Sequence, residues 1–109
     1  MRYTTFMKMA ILYLTCANTG EADKISDVLL EKKLIVCAKK VPVSSKFFWK
    51  DKIENEEEIV LLLETKEELF DEIEREVRRL HSHKTFVLLS IPINRAAKGV
   101  EDWMREGLK

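Results

Sequence analysis

Residues 34–63 hold two long extended runs separated by three polar residues, and that feature commits the chain to a long antiparallel hairpin. The first run opens with Leu34-Ile35-Val36-Cys37-Ala38 and continues through Val41, Val43, Ser45, Phe47 and Trp49, where odd positions favour apolar or aromatic side chains. Alternation with period two is the pattern of a strand. Lys50-Asp51-Lys52 reads as a tight turn. Ile53 to Leu63 then resumes the strand and ends in the wholly apolar Ile59-Val60-Leu61-Leu62-Leu63. Pro42 suits an edge strand or a bulge better than a central strand.

The rest of the chain frames this hairpin. Lys8 to Cys16 is a short apolar run that reads as a buried strand. Asn18 followed three positions later by Glu21 resembles a capping box, and Ala22, Ile25, Val28 and Leu29 follow at helical spacing. Thr65-Lys66-Glu67-Glu68 reads as a second capping box, opening a helix with Leu69, Phe70, Ile73, Val77 and Leu80 on one stripe. Phe86 to Ile91 is a fourth strand, interrupted by Pro92. Ala96 to Leu108 is a terminal helix with Val100, Trp103 and Met104 at i, i+3, i+4. The order is that of an α+β, ferredoxin-like βαββαβ sandwich with a long hairpin between its second and third strands and a C-terminal helix. Residues 9–109 are expected to form one domain, preceded by a flexible leader over residues 1–8. Only three Gly and two Pro are present, so connections are short. Two helices can cover one face of the sheet. Ile59–Leu63 and Phe86–Ile91 are apolar on consecutive positions, hence on both faces, and a second copy of the chain is the simplest cover for the other.

Charge narrows the function. Nineteen Lys and Arg balance nineteen Asp and Glu, whereas a protein that grips phosphate backbones carries a basic excess, so nucleic acid is not the expected partner. No apolar run approaches the roughly 20 residues of a membrane span. Arg2 and Lys8 precede the apolar Met9–Ala17 in the manner of a signal segment, but the run is short and reads more simply as the first strand. Two cysteines make no disulfide framework, and the expected location is cytoplasmic.

Few residues stand out for chemistry, and no nucleophile–base–orienter set is legible, so no enzyme is expected. His81 and His83 flank Ser82 where the second helix should end. They read either as solvated loop residues or as ligands of a soft or borderline divalent metal, with Cys16 or Cys37 as thiolate partner. Cys37 reads most simply as a small buried hydrophobe. Cys16, at a strand end beside a helix start, is the more reactive of the two by position. Phe47, Phe48 and Trp49 beside the turn read as packing or as a binding platform.

Three stretches together carry a resemblance: Glu31 to Ala38, Ser45 to Glu54, and Arg79 to His83. From about Ile11 to Lys109 the chain resembles the CutA family of divalent-cation tolerance proteins. Cys37 falls on the family's Ala-Cys-Ala-Asn cysteine. Ser45, Trp49, Lys52 and Ile53 match its hairpin motif, with Phe47 in place of Tyr. His81 matches its histidine, and Trp103 its terminal-helix Trp. The resemblance implies a homotrimer with hairpins embracing neighbours, no required cofactor, and copper or another divalent cation as the ligand. His81, His83, Cys37 and Cys16 are the metal candidates. The family is similar in architecture to PII signalling proteins, so the alternative is a regulatory module that holds a small anionic effector between subunits, near Lys39, Phe47, Trp49 and Lys52. A further alternative is a structural oligomer that presents other proteins. The chain departs from the family at Lys39, Asp51, Glu64 and across Ser82 to Phe86.

Overall fold

In β1 (Met9–Cys16) every second residue is buried. Ala10, Leu12, Leu14 and Cys16 face inward, while Met9, Ile11, Tyr13 and Thr15 face the other way. The computed structural model describes residues 7–109. Most of the expected leader lies outside the described residues, but Met7 and Lys8 are tied to the domain. The Met7 N–H donates to Glu101 Oε2 at 3.3 Å, and the Lys8 carbonyl accepts the Glu67 N–H at 2.8 Å.

α1 (Thr19–Glu31) buries Ala22, Ile25, Ser26 and Leu29, the stripe that helical spacing requires. It ends with Lys33 at φ 58° and the Leu34 N–H bonded back to the Leu29 carbonyl at 2.9 Å. This is a Schellman-type stop with Lys where Gly is usual. Leu34 and Ile35 are thereby drawn into the core, and β2 (Cys37–Trp49) begins later than the apolar run suggests.

β3 (Lys52–Lys66) is two residues longer than β2 and continues past Leu63. The Thr65 capping box does not form. Thr65 is fully buried in β3, and its hydroxyl donates to the Leu34 carbonyl at 2.6 Å, locking the α1–β2 connection. A single 3-10 turn (Glu67–Leu69) then leads into α2 (Phe70–Leu80), which buries Ile73 and Val77. β4 (Leu88–Pro92) and α3 (Val100–Gly107) complete the chain.

The four strands lie in the order β2-β3-β1-β4, each pair antiparallel, which is the ferredoxin-like arrangement expected from the sequence. α1 and α2 close one face. On the opposite face the strand register aligns Ile11, Tyr13, Val41, Leu62, Leu89 and Ile91, and Leu89 remains 53% exposed. β1 pairs with β3 only from Ile59 to Lys66, so Lys52 to Glu58 pair with β2 alone. This ribbon gives the chain its 60 Å long axis and carries Phe48 at 77% and Trp49 at 60% exposure. Two-stranded ribbons are marginal by themselves in water.

Lys50 and Asp51 close the hairpin with φ of 51° and 64°, as a two-residue type I′ loop demands. Neither has a glycine's tolerance of that region. Asp51→Gly should therefore raise the unfolding free energy by about 0.5–1 kcal/mol, the left-handed strain being partly offset by glycine's extra unfolded-state entropy. Chemical denaturation measures this, and a midpoint that is unchanged or lower contradicts it.

Candidate functional site

The end of β1, the first turn of α1 and the end of α2 converge at one corner of the helix-covered face. Alternation along β1 turns Cys16 toward the helices. Asn18 caps α1, its Oδ1 accepting the Glu21 N–H at 2.9 Å. The Glu21 side chain then reaches back over the chain. Its Oε2 accepts the Ala17 N–H at 2.7 Å and its Oε1 accepts the Ser82 N–H at 2.6 Å. In the usual capping box the carboxylate serves the cap residue itself. Here it ties the β1–α1 turn to the chain that leaves α2.

His81 is where α2 stops, its backbone turning extended at φ −77° and ψ 143°. Its side chain is only 1% exposed. Nε2 lies 2.8 Å from the Thr15 carbonyl. A carbonyl only accepts, so Nε2 carries the hydrogen in the neutral ring. Nδ1 keeps its lone pair and accepts the His83 N–H at 3.0 Å. The Phe86 ring stacks on the imidazole at 5.2 Å, and the Arg78 guanidinium lies 4.7 Å above Phe86.

Cys16 Sγ, a Glu21 carboxylate oxygen and an imidazole nitrogen of His81 lie within 4.8 Å of one another, the one such grouping among the described residues. Sulfur, nitrogen and oxygen in one place suit a soft or borderline divalent cation. The donor types fit a metal, but the donors are committed elsewhere. Burial, with help from the charges of Glu21 and Glu58, pushes the Cys16 thiol up to about 12, against the thiolate a metal requires. Both His81 nitrogens are engaged. Only Glu21 has lone pairs to spare, because each carboxylate oxygen accepts a single backbone N–H.

Burial raises the Glu21 pKa, but the Ala17 N–H, the bonds from Ser82 and the nearby His81 outweigh it and hold the carboxyl below its ordinary value of 4.5. A depressed carboxyl contributes stability above its unfolded pKa and loses it as pH falls through the folded one. In Glu21→Gln one of the two backbone N–H groups must face an amide NH2. The substitution should cost about 1.5–3 kcal/mol at pH 7. The difference from wild type should shrink as the pH is taken below 4.5. Denaturant titrations at neutral and acid pH test this, and an equal gap at both contradicts the carboxylate's role.

The other sequence candidates lie apart. The exposed His83 ring is 5.6 Å from that of His81 and outside the donor group. Cys37 is across β3 from Ile11, five positions along β1 from Cys16. At about 3.3 Å per residue that is roughly 16 Å. It faces the open side of the sheet, where Lys39 Nζ lies 3.3 Å from its sulfur and 3.0 Å from Glu64 Oε2. Within one chain Lys39 and Lys52 are also far apart. Lys39 pairs with Leu62, ten positions along β3 from Lys52, or roughly 33 Å. Phe47, Trp49 and Lys52 share one face of the hairpin tip. Glu21 is the member the sequence shows only as a helix cap. Its other partner, Ser82, is 61 residues away, so no local spacing reveals the link.

A family model described as CutA1 divalent ion tolerance protein matches residues 10–107. The divalent-cation tolerance protein CutA of Archaeoglobus fulgidus is 39% identical over 95 residues, covering 87% of this chain and 93% of that protein. Its namesake in Thermotoga maritima is 30% identical over 100 residues, covering 92% and 99%. The solved structure of the periplasmic divalent cation tolerance protein CutA from Archaeoglobus fulgidus superposes with a TM-score of 0.90 at 37% identity, covering 93% of this chain and 99% of that one. That finding overturns the cytoplasmic location expected from the cysteine count, because the Archaeoglobus fulgidus protein is described as periplasmic. Two unpaired thiols, one buried and one half-buried, are chemically compatible with either compartment.

Proposed function

The chain belongs to the family of CutA1 divalent ion tolerance proteins, and we propose that it serves divalent-cation tolerance as a homotrimer that takes up a soft or borderline cation at Cys16, Glu21 and His81. The family is non-catalytic, in keeping with the absence of a legible catalytic set in the sequence. The convergence of three unlike donors within 4.8 Å is the observation that carries the metal reading. Cys16 would supply a thiolate, Glu21 a carboxylate oxygen and His81 an imidazole nitrogen. Copper is the preferred ion, since a nitrogen- and sulfur-containing site favours it over zinc. Occupancy is facultative, because the thiol must lose its proton and the imidazole must give up a hydrogen bond. The trimer is supported by the unpartnered apolar sheet face and the unsupported hairpin ribbon. The anionic-effector alternative has less behind it, since Lys39 is already paired with Glu64 and lies far from Lys52 in the same chain.

Calorimetric titration of Cu(II) and Zn(II) into wild type, Cys16→Ala, His81→Ala and His83→Ala tests the assignment. Cys16→Ala and His81→Ala should each weaken binding by more than about tenfold, while His83→Ala should retain it. Equal affinities in all four proteins would remove the cluster from any metal role.

A further inference from the structure

A cation held by His81 cannot leave the turn that follows it unchanged. The His81 ring has one hydrogen and one lone pair to dispose of, and both are spoken for. Nε2 donates to the Thr15 carbonyl at 2.8 Å, and Nδ1 accepts the His83 N–H at 3.0 Å. A cation on Nδ1 takes the lone pair that the His83 amide uses. A cation on Nε2 sends the ring hydrogen to Nδ1, where it faces the His83 N–H donor to donor, and the Thr15 carbonyl also loses its partner. Either route strips the His83 amide of its acceptor.

The neighbouring amide behaves differently. The Ser82 N–H is held by Glu21 Oε1 at 2.6 Å. A carboxylate oxygen has two lone pairs, so Glu21 can bind a cation and keep that bond. Two adjacent amides of one turn therefore report separately, one on the imidazole and one on the carboxylate. The ring itself is stacked on Phe86, which the Arg78 guanidinium contacts in turn. Arg78 also donates to the Lys84 carbonyl at 2.9 Å and so grips the far end of the same loop.

We propose that occupation of the Cys16–Glu21–His81 cluster by a divalent cation is coupled to release of the His83 amide, opening the turn between α2 and β4 while Glu21 keeps hold of Ser82. The coupling rests on the metal reading above. It makes the exposed segment His83-Lys84-Thr85 the part of the surface that differs between cation-loaded and cation-free protein. It thus gives the family's cation response a structural readout that another molecule could sense.

Zinc is the probe, being redox-inert and diamagnetic. The full chain, isotope-labelled, is titrated with zinc. Occupancy is followed by the Cys16 13Cβ and His81 ring 15N shifts, and solvent exchange is measured at the Ser82 and His83 amides. The expected result is that both side-chain signals shift, the His83 amide exchanges about tenfold faster and Ser82 changes less than about twofold. Shifted Cys16 and His81 signals beside an unchanged His83 amide would overturn the coupling and leave the metal site standing. Parallel acceleration of both amides would overturn it too, since that is general loosening. Unmoved Cys16 and His81 signals would overturn the metal reading and the coupling together.

Discussion

Leu89→Glu should convert a particle of three times the 12.8 kDa chain mass into a single chain. Leu89 pairs with Tyr13 of β1 and stands among Ile11, Leu62, Val41 and Ile91 on the face that, among the described residues, no helix covers. Alternation sends its side chain away from α1 and α2, so the substitution leaves the core of the single chain intact. In a trimer closed through this face, each chain would bury an unpaired carboxylate. Such a charge costs about 3–5 kcal/mol when left without a partner, and closed symmetry repeats the loss in every copy. The helical content should remain, because the residues that hold α1 and α2 to the sheet are untouched. Sedimentation equilibrium with far-UV circular dichroism reads both quantities. A substituted protein that stays at wild-type mass would show that the open face is not the interface.

The second large effect is on metal affinity as a function of pH. Burial together with the charges of Glu21 and Glu58 holds the Cys16 thiol at about 12, so the group is protonated throughout the neutral range. Cation binding through sulfur must expel that proton. Below the thiol pKa the apparent affinity therefore rises about tenfold per pH unit, or about a hundredfold from pH 6 to pH 8. The same burial that makes the cysteine inert without metal carries the steep pH dependence past the point where an ordinary thiol would already have ionised. An ordinary exposed thiol near 8.5 would show the slope flattening above that value. Zinc titrations at pH 6, 7, 8 and 9.5 provide the test, the last lying above about 8.5, where only a raised thiol keeps the slope. A flat profile would mean that sulfur takes no part. In Cys16→Ala the steep dependence should vanish along with most of the affinity.

The fold was legible because its signals are periodic. Alternation in β2 and the i, i+3, i+4 stripes of α1 and α2 each follow from burying one side of a regular element, while β1 and the end of β3 show as continuous apolar runs. Local signals failed where a distant group competed for them. Thr65 has the spacing of a helix cap, yet the Leu34 carbonyl, 31 residues away, claims its hydroxyl. Asp51 looks like a departure at the hairpin tip, and the structure shows what it departs from, since φ is 64° there. The site was only half legible. His81 and Cys16 could be named, but period two does not say which cysteine shares a corner with the histidine. The resemblance favoured Cys37, which lies on the opposite face of the sheet from Cys16. Glu21 could be read as a cap for α1. Its hold on Ser82 arises only when the end of α2 folds back against the end of β1.

X-ray absorption at the zinc edge, on protein loaded with one zinc per chain, tests the central claim most directly. A cation seated at Cys16, Glu21 and His81 should show one sulfur neighbour at about 2.3 Å among nitrogen and oxygen neighbours at about 2.0–2.2 Å. The sulfur contribution should disappear in Cys16→Ala and persist in Cys37→Ala. A shell of nitrogen and oxygen alone in the wild-type protein, or a sulfur signal that follows Cys37, would contradict the assignment.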